Sequence, residues 1–233
     1  FMLIIFTFSC TSRYNEAQKK SDEFPPIFPD YTFVTIPSNI APLNFEIKEA
    51  VSIRGDFFAG NDFLGTITGK HTIRIPLKKW KEWLEKYKGK QLNITVSAWS
   101  TTYPEGIKYK NFTVDISLNP IDEWVAYRLI EPGYEFWNQM GIYQRQLSSF
   151  TEKEIVTNKQ NHNGCINCHS FHNYSSKNWM FHARGQNGAT IIIKNQKPMR
   201  IETDKLNDGK SGTYPMWHPS GKYIVFSSND THQ

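Results

Sequence analysis

Two stretches of strict alternation constrain this chain most. In Leu92-Asn93-Ile94-Thr95-Val96-Ser97-Ala98, and again in Phe112-Thr113-Val114-Asp115-Ile116-Ser117-Leu118, apolar and polar residues trade places at every step. Successive side chains of a strand point to opposite faces, so a period of two marks a strand with one face in a core and one in solvent. Further candidate strands are Leu43–Lys48, Val51–Phe58, Thr72–Ile75 and Glu123–Ile130. One helix interrupts them. Leu77, Trp80, Leu84 and Tyr87 form an apolar stripe at helical spacing, with Pro76 suited to the first turn and Gly89 to the end. Short strands around one inserted helix predict a β-sandwich-like domain over residues 31–131. It shows no catalytic constellation.

The 233 residues suffice for one or two cored domains, and an aromatic content of 15% favours a packed, β-rich chain over disorder. The net charge of +5 is local: between Lys70 and Lys90 eight basic side chains stand against Glu82 and Glu85. This reads first as the solvated face of the predicted helix, and as a docking face for an anionic partner or membrane second.

Past residue 131 the period changes. Phe136, Met140, Tyr143, Leu147 and Phe150 recur as one helix face, and Thr151-Glu152-Lys153-Glu154 reads as a capping box that restarts a helix. Residues 132–187 are therefore expected to be a small helical segment. It contains Cys165-Ile166-Asn167-Cys168-His169, the C-x-x-C-H spacing of covalent c-type haem attachment. On a helical turn Cys168 and His169 fall three and four positions after Cys165, on one face. Two thiols can then form thioethers to the haem vinyl groups while His169 takes one axial position on the iron. Phe136, Trp137, Met140 and Phe171 are candidates for the apolar wall.

Three other readings use the same residues. Zinc can be held by Cys165, Cys168 and two of His169, His172 and His182. The cysteines can instead form a redox dithiol or a plain structural disulfide, although Asn161-His162-Asn163-Gly164 does not end an apolar strand as dithiol motifs require. Haem leads. For its second axial ligand Met180 is favoured and His182 is next, since Asn173-Tyr174-Ser175-Ser176 offers a turn that returns the chain. His172 would point to the same side as His169, and His162 requires the chain to double back. Arg184 is a candidate partner for a haem propionate.

Residues 1–10 read as the remnant of an export signal, and Ser9-Cys10 as the end of a bacterial lipobox that makes Cys10 the lipid-bearing residue. With Cys165 and Cys168 on haem, this leaves none of the three cysteines over. Residues 11–30, ending in Phe24-Pro25-Pro26-Ile27-Phe28-Pro29, are expected to be an extended tether. At the other end, Ala189–Lys194 and Pro198–Thr203 flank a hairpin turn at Asn195-Gln196-Lys197. Trp217-His218-Pro219-Ser220-Gly221 then supplies a tight turn before the β-forming Tyr223–Ser228.

The last segment resembles the repeat of TolB-like (WD40-like) β-propellers, whose blades carry a Trp-Ser-Pro-Asp-Gly core, with His218 and Ser220 here in place of its serine and aspartate. Residues 188–233 are expected to hold one blade of about 40–45 residues. A propeller needs about 4–8 blades, so the sequence is expected to be a piece of a longer chain. Together, the stretch from Glu131 to Arg145, the C-x-x-C-H segment and Met180–Gly185 resemble exported bacterial propeller proteins with an inserted monohaem cytochrome c segment, over residues 40–233. The resemblance implies attachment at Cys165 and Cys168 and ligation by His169.

The expectation is a mainly β protein with a small helical haem segment: a lipid-anchored envelope protein of the periplasm or outer membrane, transferring single electrons to a redox partner protein. An exported chain of this kind is not expected to bind nucleic acid or to be an enzyme, though a vacant sixth ligand would allow peroxidase-like chemistry. The alternative is a propeller-based binding or scaffold protein of the envelope, with a structural haem or zinc.

Overall fold

The alternating segments form strands whose apolar residues face one core. The computed structural model describes residues 16–130, 139–185, 188–206, 209–210 and 212–228. The chain is mainly β, in two compact units. The first runs to Asp122 and also takes in Leu147–Ser149; the second comprises the rest.

In chain order the first unit contains β1 (Lys19–Lys20), β2 (Thr35–Ile36), β3 (Phe45–Glu46), β4 (Ser52–Ala59), β5 (Asp62–Gly69), β6 (Thr72–Ile73), α1 (Leu77–Lys86), β7 (Gln91–Trp99), β8 (Ile107–Lys108) and β9 (Phe112–Ile116). The main sheet has the order β1-β8-β7-β4-β5; β9 continues the β8 side of β7 and carries β2 beyond it. Its inner face holds Ile53, Phe57, Leu92, Ile94, Val96, Phe112 and Val114, all at most 2% exposed. The cover is not a second full sheet. The two-stranded ribbon β3–β6 and helix α1 share the core instead, with the Phe57 and Trp83 rings 5.2 Å apart. On α1 the buried stripe is Trp80, Trp83, Leu84 and Tyr87, while Leu77 lies partly in solvent. Trp80 keeps its polar atom satisfied, its Nε1 donating to the Ile40 carbonyl at 3.0 Å.

The tether expected over residues 11–30 is, where described, mostly exposed but fastened to the first unit at a few points. β1 pairs with β8, Phe28 bridges to Glu46, and Ile27 is buried. The proline-rich backbone is extended as expected, but it follows the sheet because Ile27 has apolar surface to bury.

The second unit contains β10 (Trp124–Ile130), β11 (Met140–Gln146), β12 (Glu152–Thr157), a 3-10 turn at Asn158–Asn161, β13 (Ile166–Phe171), β14 (Asn178–Ala183), β15 (Ala189–Lys194), β16 (Lys197–Ile201), β17 (Gly212–Trp217) and β18 (Ile224–Ser228). The sheets are consecutive antiparallel meanders: β10-β11-β12, then β13-β14-β15-β16, then the hairpin β17-β18. The strand expected at Glu123–Ile130 forms but belongs here rather than to the first unit.

Where they are described, the residues expected to be helical from 136 to 154 form β11 and β12 with a turn between them. In β12 the run Ile155-Val156-Thr157 is β-branched, which favours extended backbone. A Thr-x-x-Gln version of the capping box occurs six residues after the expected one: Gln160 Oε1 accepts from the Thr157 N–H at 2.8 Å and opens the 3-10 turn. Phe136 and Trp137 lie outside the described residues, as does Cys10. The hairpin at Asn195-Gln196 forms, with both residues at positive φ as a twisted two-residue turn requires. The expected blade over 188–229 is divided: β15 and β16 complete a sheet begun by β13 and β14, and β17 opens another.

Candidate functional site

The C-x-x-C-H residues occupy the end of the loop into β13 and the first half of that strand, which is an edge of its four-stranded sheet. Gly164 has to be small. A Cβ there would collide with the Arg184 carbonyl oxygen and lie 2.8 Å from Asn161 Nδ2. Asn161 fastens this approach by donating to the Arg184 carbonyl at 2.8 Å, and Arg184 N donates to the Cys165 carbonyl at 2.8 Å. Cys165 is buried, Cys168 is half-buried, and both are free thiols.

The motif does not sit on a helical turn. Asn167 pairs with His182 and Ser170 with Met180, so Cys168 and His169 together oppose Phe181 alone. This is a β-bulge, with Cys168 at φ +53°. In a plain strand residues three apart face opposite ways. The bulge breaks that alternation at Cys168 and re-aims the residues beside it. Asn167 Oδ1 stabilises the kink, accepting from Cys168 N at 2.8 Å and from Arg128 Nη1 at 2.7 Å.

His169 is half-buried, its ring 6.0 Å from Phe171 and edge-on to it. Phe171 stacks on Trp179 at 5.7 Å, and Trp179 on Phe181 at 5.5 Å, which makes an aromatic row beside the imidazole. Burial holds the His169 pKa below the usual histidine value, and the Arg128 charge pushes the same way. The Ala126 backbone, accepting a hydrogen bond from the ring, opposes them. With one ring nitrogen bonded to the Ala126 backbone, the other is left as a donor for a metal.

Met180 and His182 are buried on β14. Their cross-strand partners Ser170 and Asn167 share their sheet face, whereas Trp179, Phe181 and Ala183 face the core that contains Ile142, Ile166 and Phe171. His169 stands with Phe171. The two expected second ligands therefore lie on the sheet face away from His169, and His182 Nδ1 is hydrogen-bonded to Thr190 Oγ1 at 3.1 Å. Burial first, then Arg184, depresses the His182 pKa. His172 is occupied elsewhere: its Nε2 donates to the Pro219 carbonyl at 3.1 Å and its ring lies 5.4 Å from Trp217. His162 is exposed, in the left-handed region.

These placements weigh the readings differently. Among the described residues no three His, Cys, Asp or Glu side chains converge as a metal cage. A redox dithiol works through a lowered thiol pKa. That of Cys165 is raised, by burial above all and by Cys168, against the opposing pull of Arg184 and Arg128. The donor set does fit covalent haem, which calls for two free thiols flanking two residues and an imidazole beside apolar surface. Sequence reasoning reached Cys165, Cys168, His169 and Arg184. It missed Ala126, Arg128 and the bracing role of Asn167, because β10 meets the motif across about forty residues of chain and no local spacing signals such a contact.

No protein-family model, no curated protein and no solved structure matches the chain.

Proposed function

We propose that the second unit binds one c-type haem through Cys165 and Cys168, with His169 as an axial ligand, and that the protein is an exported, lipid-anchored carrier of single electrons. The observation that carries this is the half-buried His169, one residue after a free cysteine in a C-x-x-C-H motif, its ring 6.0 Å from Phe171 in the row Phe171, Trp179 and Phe181.

Bound there, haem supplies a one-electron couple. The chain does the rest. The Ala126 backbone orients the imidazole, and the aromatic row limits water on that side. Arg128 and Arg184 place positive charge near the motif, suited to a propionate or to an anionic surface on a partner protein. In this arrangement Met180 and His182 serve the sheet's other face rather than the iron.

The alternative, a propeller-based binding protein of the envelope, draws on a separate observation. β10, β13 and β17 open successive antiparallel meanders at residues 124, 166 and 212, a recurrence of about 42–46 residues that matches blade spacing. The two readings are compatible if the haem segment forms the opening strands of a blade.

The test is a haem assay on denatured protein made in an exporting host with c-type maturation machinery, beside a Cys165→Ala/Cys168→Ala control. Haem should survive denaturation and be absent from the control. Colourless protein despite active maturation would reject the haem reading and leave the binding protein.

A further inference from the structure

The main sheet of the first unit packs α1 on its inner face, and on its outer face one row of polar side chains crosses four strands. The register places Arg54 of β4 beside Ser97 of β7, Ser97 beside Lys108 of β8, and Lys108 beside Lys20 of β1. Residues paired in this way share a sheet face. The row lines a cleft of about 260 Å³ that Glu16, Asp56 and Trp99 complete.

The fold does not use up the polar groups of this cleft. Arg54 Nε donates to both carboxylate oxygens of Asp56, at 3.1 and 3.0 Å, and Thr66 Oγ1 also donates to Asp56. These bonds hold the guanidinium in place, with the Arg54 side chain 28% exposed. Among the described residues its two terminal nitrogens have no hydrogen-bond partner. Their N–H groups form the edge that grips a carboxylate through two parallel bonds. Ser97 is 5% exposed, and its hydroxyl has no partner among the described residues, although the cleft reaches it. A buried hydroxyl without a partner is costly, so a ligand that pairs with it gains. The Gly106 backbone packs directly against the indole of Trp99, where a Cβ would fall 2.4 Å from Nε1. That contact braces an aromatic wall, which suits the apolar face of a ring.

The charges select among ligands. Lys20, Arg54 and Lys108 bring three positive charges to the cleft, and Glu16 and Asp56 bring two negative ones, which leaves a net of one. An inorganic oxyanion would be repelled by both carboxylates and has no apolar face for Trp99. A neutral sugar would leave the Arg54 edge unpaired. A ring that carries one carboxylate and several hydroxyls answers every group: its carboxylate meets Arg54 and the lysines, its hydroxyls donate to Glu16 and Asp56, and its ring face lies on Trp99. The volume is a little below the range of about 300–1,000 Å³ for drug-sized ligands, which suits one ring rather than a chain of them.

We propose that this cleft binds a sugar acid, a single pyranose unit bearing one carboxylate. The site lies wholly within the first unit, and it stands or falls separately from the haem reading of the second.

Titration calorimetry of the full chain with D-glucuronate and D-galacturonate tests the assignment, with D-glucose and inorganic phosphate as comparisons. Saturable binding of a uronate is expected, at least about tenfold tighter than either comparison, because a hydrogen bond to a charged group contributes about that factor or more. Arg54→Gln should weaken uronate binding at least about tenfold. Ser97→Ala should weaken it about three- to tenfold. It should also leave the melting temperature unchanged, since the hydroxyl it removes has no partner among the described residues; this variant decides the matter if Arg54→Gln does not fold. The exposed pair Lys78→Gln/Lys81→Gln on α1, across the sheet from the cleft, should stay within about twofold of the parent protein. Absence of uronate binding, phosphate or glucose bound as tightly as uronate, or undiminished binding by Ser97→Ala would overturn the proposal. Equal losses for Arg54→Gln and the α1 pair would do the same.

Discussion

At the scale of single residues, the site depends on which face of a sheet each side chain occupies. His169 stands beside Phe171, while Met180 and His182 point away from it. His169→Ala should remove the imidazole ligand and so change the haem spectrum while the thioethers persist. Met180→Leu should leave that spectrum unchanged, at a stability cost under about 1.5 kcal/mol for a volume-conserving swap. A spectrum altered by Met180→Leu would mean that β14 turns over when haem binds. Arg128 allows a second expectation. Its guanidinium is fixed 2.7 Å from Asn167 Oδ1 and its charge is felt at His169. A cation disfavours the more positive ferric state, so Arg128→Gln should lower the reduction potential by an amount on the order of tens of millivolts. Arg128→Lys should restore most of it, and a potentiometric titration that shows no change would remove Arg128 from the site. The sequence singles out Cys165, Cys168 and His169 as candidates because their spacing matches that of the attachment motif. It could not identify Arg128, whose importance comes only from where β10 lies.

At the scale of elements, the main strands of the first unit were legible, as were β10, β15, β16 and β18 of the second, whereas β11 to β14 and β17 were not. β7 and β9 alternate strictly because one side is core and the other solvent. In β11 the buried residues are Met140, Gly141 and Ile142 in succession, and a strand covered on both faces has no period of two to detect. The helical spacing of Met140, Tyr143 and Leu147 was coincidental, since Leu147 clusters with the first unit. The motif was misplaced for a related reason: a bulge has no periodicity, and Cys168 at φ +53° belongs to neither regular pattern. Its stability depends on close backbone packing at the entry to β13. Gly164→Ala drives a methyl group against the Arg184 carbonyl, with Asn161 Nδ2 also in the way. That should cost the second unit about 1–3 kcal/mol and reduce haem attachment. Chemical denaturation of the apoprotein measures the first effect, and haem content per chain the second. A neutral substitution would show that the loop can open without loss.

At the scale of the whole molecule, two units with separate cores should unfold separately, and their pH responses should differ in a direction that the histidines fix. In the Cys165→Ala/Cys168→Ala apoprotein, His169 and His182 are free of iron and both titrate below the ordinary histidine value because they are buried. At mildly acidic pH the unfolded chain then binds protons that the folded second unit refuses. Stability from this source is complete above about pH 6.5, the unfolded value, and drains away as pH falls toward the depressed folded values, by at most about 1.4 kcal/mol per pH unit for each proton. The first unit has no buried histidine among its described residues, His71 being exposed. The shifted carboxyls there, Asp30 and Asp62, lie below their ordinary 3.8 through hydrogen bonds from Thr32 and from Tyr87 respectively. Their contribution is present above about that pH and is lost only below it. Calorimetry between pH 7.5 and 5 should therefore show two transitions, of which one moves down and the other holds. His182→Gln removes one titrating group and should roughly halve the movement. Two transitions that fall together, or a slope untouched by His182→Gln, would show that the histidines are not what couples this fold to pH.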